Sequence, residues 1–85
     1  MACEPVVFEN VTEEVFNCLG AKLANLGYRL SGPSGTIHGP MNIAIEYEWR
    51  GGDSTLYTLV ISKNMLISCN RIYNEIDKAL KDCNG

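Results

Sequence analysis

Cationic side chains are scarce in this chain. Its seven Lys and Arg are outnumbered by ten Asp and Glu, which leaves a formal net charge of −3 and a pI near 4.9. Attraction to phosphate backbones or to anionic lipid needs clustered cations that release counterions. Neither nucleic acid nor a membrane surface is therefore an expected partner. Long apolar runs are missing too: none approaches the ~20 residues that span a bilayer, and no charged stretch followed by an apolar one opens the chain. Histidine occurs once, at His38. It stands beside Gly39-Pro40, with no serine or cysteine in a nucleophile signature near it, and reads as a surface residue rather than a general base. Paired metal-ligand spacings are also absent. Structural zinc sites use C-x₂₋₄-C or H-x₃₋₅-H, and none of the four cysteines lies that close to another or to His38. Gly32-Pro33-Ser34-Gly35 lacks the lysine and the strand-to-helix setting of a phosphate-binding loop, so it reads as a turn. No catalytic residue, metal or cofactor is expected, and the chain is read as non-enzymatic.

What is present is an ordinary core-forming composition, 46% hydrophobic and 20% charged, in 85 residues, which argues for one folded domain over 1–85. The cysteines Cys3, Cys18, Cys69 and Cys83 are even in number in a small chain, the usage of a domain that supplements its core with cross-links outside the cell. Met1-Ala2-Cys3 fits either a native start or an added initiator before a mature secreted chain, and the cysteines suit the second. Asn10-Val11-Thr12 is a glycosylation triplet, although it stands at an expected helix start.

Periodicity gives the elements. Pro5 to Phe8 favours a short edge strand. Asn10 with Glu13 fits a capping box, whereas Thr12 as N-cap would let Val11 staple to Phe16. Val15, Phe16, Leu19, Leu23 and Leu26 then recur at helical spacing until Gly27, which suits a left-handed C′ position. Gly20 interrupts this helix at about 1 kcal/mol relative to Ala, which a close neighbour would explain. Tyr28–Ser31 and Thr36–His38 read as a hairpin or as one strand broken by a bulge. Met41, Ile43, Ile45, Tyr47 and Trp49 alternate with Asn42, Ala44, Glu46 and Glu48, the pattern of a strand with one wet face. Arg50 to Ser54 is a turn and Thr55 to Ser62 a more uniformly apolar strand. Met65, Cys69, Ile72, Ile76, Ala79, Leu80 and Cys83 share a helical stripe capped by Asn64 or Ser68. On its polar side, Arg71–Glu75 and Asp77–Lys81 are expected i,i+4 pairs.

The order (β)αβββα gives an α+β fold: a two-layer sandwich in which a three- or four-stranded antiparallel sheet carries both helices on one face. With three intervening strands the helices are expected to run roughly parallel. A Cys69–Cys83 bond is excluded if a helix joins them, because fourteen residues at about 1.5 Å each far exceed a Cα limit of about 7 Å. Of the two remaining connectivities, Cys3–Cys83 with Cys18–Cys69 is the favoured one. The αβββα order is shared with double-stranded-RNA-binding domains, whose second helix opens on a lysine cluster. Here Ser68-Cys69-Asn70-Arg71 carries a single cation, and that function is rejected.

Ala2-Cys3, Cys18, Cys69 and Cys83-Asn84-Gly85, with the length and the helix-on-sheet order, resemble small cysteine-stabilised secreted proteins of fungi, including effectors and killer-toxin-like α/β sandwiches. The chain departs from the latter in having no clear strand after the last helix. The resemblance implies a secreted protein that binds a partner and uses no cofactor. The expected function is thus non-enzymatic protein–protein recognition through the open sheet face or the Gly/Pro-rich loops, with Trp49, Tyr57, Arg50 and His38 as candidate binding residues. A competing expectation is a cytoplasmic acidic regulator or phage-type inhibitor with reduced cysteines. A small thiol enzyme ranks third.

Overall fold

A computed structural model describes residues 3–39 and 42–84. Met1, Ala2, Pro40, Met41 and Gly85, and with them the expected place of Met41 at the head of the alternating strand, lie outside the described residues. The elements are β1 (Val6–Phe8), α1 (Glu13–Asn25), β2 (Ser34–His38), β3 (Ala44–Arg50), β4 (Thr55–Ser62) and α2 (Cys69–Asn84). The strands form one antiparallel sheet in the order β1-β4-β3-β2. The two helices pack on one face, as the alternation in β3 implies. No helix among the described residues is long and apolar enough to cross a membrane.

Local chemistry sets the limits of α1. Thr12 is the N-cap, its hydroxyl accepting from the Val15 N–H at 3.3 Å. At the other end Gly27 takes φ 93°, the Gly27 N–H donates to the Ala24 carbonyl, and the Tyr28 N–H donates to the Leu23 carbonyl. That double closure is a Schellman motif, and only glycine adopts its left-handed position without strain. The neighbour expected at Gly20 is a side chain: a Cβ there would stand 3.3 Å from Leu30 Cδ1.

The core lies between the helices and the inward side of the sheet, with Val11, Leu19, Leu56 and Val60 the most deeply enclosed. Thr58 is the buried polar residue of that layer, and its hydroxyl donates to the Val6 carbonyl at 2.8 Å. Tyr73 of α2 works similarly. Its hydroxyl donates to the Glu4 carbonyl at 2.6 Å and accepts from the Val60 N–H at 3.1 Å, tying the helix to the chain start and to β4. A bulge between Ala44 and Ile45 breaks the alternation, so that Ile43, Ala44 and Ile45 are all buried.

Two expectations are corrected by one feature. The segment Tyr28–Pro33 is not a strand. It runs back along α1, with Leu30 against Gly20, the Ser31 N–H donating to Tyr47 Oη, that hydroxyl donating to the Gly32 carbonyl, and the Trp49 N–H donating to the Pro33 carbonyl. The chain thus crosses the molecule four times, not three, between the helices. As a result α2 runs opposite to α1: Cys18, midway along α1, meets Cys83 in the last turn of α2, while Leu23, late in α1, lines a cleft with Ile72 and Ile76. The cystines follow. They are Cys3–Cys69 and Cys18–Cys83, not the favoured Cys3–Cys83 and Cys18–Cys69. Cys3 extends the β1 pairing along β4, its N–H donating to the Val60 carbonyl, and so arrives where α2 begins. The excluded Cys69–Cys83 bond is indeed not formed.

Candidate functional site

Strand alternation sorts the side chains of the sheet into two sets. Toward the helices point Ile37, Ile45, Tyr47, Trp49, Leu56, Thr58 and Val60. Toward solvent point Val7 from β1, Tyr57, Leu59 and Ile61 from β4, Glu46, Glu48 and Arg50 from β3, and Ser34, Thr36 and His38 from β2. The register places Val7, Tyr57, Glu48 and Ser34 in one row across the sheet, and Leu59, Glu46 and Thr36 in the next. The open face is therefore divided. Its β1–β4 half is apolar, with Val7 53% and Ile61 37% exposed, and its β3 strip is charged. Arg50 Nε donates to Glu48 Oε2 at 2.7 Å, and that hydrogen bond and charge hold the guanidinium above its ordinary pKa.

The four candidate binding residues do not converge. Tyr57 occupies the middle of the open face, next to the Arg50–Glu48 pair, since Tyr57 is opposite Glu48 in the register and Arg50 opposite Thr55. His38 is exposed at the far end of edge strand β2, opposite Ala44. Trp49 belongs to the other side of the sheet. Its ring stacks on Phe16 with centroids 4.8 Å apart and planes at 5°, and its Nε1–H donates to the Val11 carbonyl at 2.7 Å. Trp49 fixes the entry to α1. The alternation that grouped it with Ile45 and Tyr47 was the signal for this.

Sequence reasoning missed a second surface, at the end of the sandwich where α1 stops and α2 starts. Met65 is not on the helical stripe. Asn64 closes a turn instead, its Oδ1 accepting from the Leu66 N–H and its carbonyl from the Ile67 N–H, and Ser68 caps α2 by accepting from the Arg71 N–H at 3.1 Å. Two apolar residues are left on a loop as a result: Met65 is 94% and Leu66 90% exposed, and Leu26, 59% exposed, lies across a cleft of about 520 Å³. Ile37, Ile43, Ile45 and Ile72 line that cleft, with Arg71 and Glu75 among its walls. Tyr28 also lines it, and burial raises its phenol above the usual value of 10.0.

All four sulfurs are in disulfides, so no thiol remains. Among the described residues no three His, Cys, Asp or Glu side chains gather as metal ligands would. No family model matches the chain, and neither does any curated protein or solved structure.

Proposed function

We propose that this chain is a secreted, non-enzymatic binding protein, effector-like or toxin-like, that recognises a protein partner through the open face of its sheet. The observation that carries the reading is the row of apolar side chains left on that face: Val7 beside Tyr57, with Leu59 and Ile61 following along β4, bordered by Glu46, Glu48 and Arg50. An apolar centre with an aromatic residue and a charged margin is the composition of a protein interface. Two disulfides support a life outside the reducing cytoplasm, because such bonds form and persist in oxidising compartments. They weigh against the acidic regulator with reduced cysteines.

The test is capture on the immobilised chain, disulfides intact, from the extracellular proteins of a relevant host or competitor. A true partner is retained by the wild-type chain and by Lys78→Ala on the exposed side of α2, and lost with Tyr57→Glu and with Ile61→Glu. A partner indifferent to both sheet substitutions would sink the choice of surface. Thiol modification of the natural product should find none free before reduction and four after; four before reduction would sink the extracellular reading.

A further inference from the structure

At the α1/α2 end of the sandwich the chain presents both halves of an apolar joint. Met65 and Leu66 project from the loop before α2, and next to them opens the cleft that Leu26 and Leu66 border and Ile37, Ile43 and Ile45 floor. Contiguous exposed apolar surface of this kind marks an interaction site in a soluble protein. The charges in the cleft wall indicate its occupant. Arg71 and Glu75 lie one helical turn apart, at a spacing that ordinarily pairs them. Among the described residues, however, the ion pairs are Arg50–Glu48 and Lys81–Asp77, and Arg71 and Glu75 are in neither. An anionic lipid would satisfy Arg71 but be repelled by Glu75, and a basic segment would meet the reverse problem. The wall suits a surface bearing the same two charges in reversed order. A copy related by a two-fold axis has that arrangement, since across such an axis residue i meets j while j meets i.

We propose that a second copy of this chain docks here as a two-fold dimer. Met65 and Leu66 of each protomer enter the cleft of the other, and each Arg71 pairs with the partner's Glu75. The joint uses the end of the sandwich and leaves the open sheet face free, so it stands or falls independently of the recognition surface proposed above.

Sedimentation velocity over a concentration series tests it on the oxidised chain. The expected result is a concentration-dependent monomer–dimer equilibrium. Leu66→Glu should raise the dimer Kd by more than about 30-fold, as removal of a buried interface anchor does. Arg71→Glu alone and Glu75→Arg alone should each weaken self-association, because each places like charges across the axis. Mixed together, these two variants should form a heterodimer, since every carboxylate at the joint then comes from one chain and every guanidinium from the other. A pairing within one chain would give no such rescue. Circular dichroism and a zero free-thiol count establish that each variant is folded. A chain that stays monomeric at every concentration, a dimer untouched by Leu66→Glu, or a mixture that fails to associate would each overturn the proposal. So would a monomer that uses Met65 and Leu66 to bind phosphatidylglycerol vesicles.

Discussion

Removing one cystine should cost this fold several kcal/mol, and the connectivity sets the amount. With Cys3–Cys69 intact, the shortest covalent path from Cys18 to Cys83 runs 15 residues back to Cys3, across the bridge, and 14 residues on from Cys69. A loop of about 30 residues corresponds to about 3.6 kcal/mol of lost denatured-state entropy. The same path closes when Cys3–Cys69 is the bond removed, so either deletion should cost the same in denatured-state entropy, with lost packing added for Cys3, which is buried in the core. Cys18 and Cys83 are only half-buried, and alanine there forfeits little packing beside that entropy. Thermal unfolding of C18A/C83A, followed by circular dichroism without reductant, should show a midpoint lower by about 14–29 °C, given a slope of about 4–8 °C per kcal/mol for a domain of this size. Deleting the second bridge then reopens a loop with a sequence separation of 66, which corresponds to about 4 kcal/mol more. The total is about 8 kcal/mol against an expected whole-domain stability of about 4–13 kcal/mol. The four-alanine chain should therefore be unfolded or barely folded at 25 °C. A single deletion that shifts the midpoint by less than about 5 °C would refute the entropic account. It would mean that the denatured chain already holds those ends together.

Further outcomes follow from individual contacts. Trp49→Phe keeps an aromatic ring against Phe16 but strips the Val11 carbonyl of its donor, and should lower urea-unfolding stability by about 1–3 kcal/mol. Gly39→Ala would drive a Cβ into the Tyr28 ring, which must swing aside at a cost of about 1–3 kcal/mol, read by the same titration. Burial raises the Tyr28 pKa, so the folded chain holds that proton more tightly than the unfolded one. Stability is then fully kept below pH 10.0 and declines as pH rises through the raised value, and Tyr28→Phe should reduce the alkaline slope in pH-dependent melts. Glu-C with trypsin, applied to the unreduced protein, should yield the Cys3 peptide 1–9 linked to the Cys69 peptide 64–71, whereas a link from peptide 1–9 to the Cys83 peptide would refute the connectivity.

Where one local rule decided an element, the sequence carried it. Thr12 and Gly27 bound α1 because a cap hydroxyl and a left-handed glycine act within a few residues of themselves. The alternation of Ile45, Tyr47 and Trp49 with Glu46 and Glu48 gave the two faces of β3, since a half-wet strand separates its side chains by period two. The failures were non-local. Met65 fits a helical stripe by spacing, but the Asn64 side chain closes a turn and Ser68 caps the helix later, which leaves Met65 and Leu66 in solvent. Residue type is what singles out the candidate binding residues. Tyr57 and Arg50 do share the open face, but Trp49 is claimed by Phe16 and Val11, partners that no sequence period reveals.

The largest departure arose from a segment that looks like a strand and is not one. Tyr28 and Leu30 are partly buried while Arg29 and Ser31 are exposed, so period two is real there. What the pattern does not contain is the pairing. The backbone of Ser31 and Gly32 is satisfied by the Tyr47 hydroxyl rather than by a ladder, so the segment can lie beside α1 instead of joining the sheet. Each traverse reverses the chain direction. Adding one between α1 and β2 turns an expected parallel helix pair into an antiparallel one, brings Cys18 to Cys83, and leaves Cys69 at the opposite end for Cys3. The connectivity of the cystines thus reports how many times the chain crosses the molecule. Tyr47, through one hydroxyl that binds two backbone groups, helps to hold the added traverse in place, together with the Trp49 N–H on the Pro33 carbonyl.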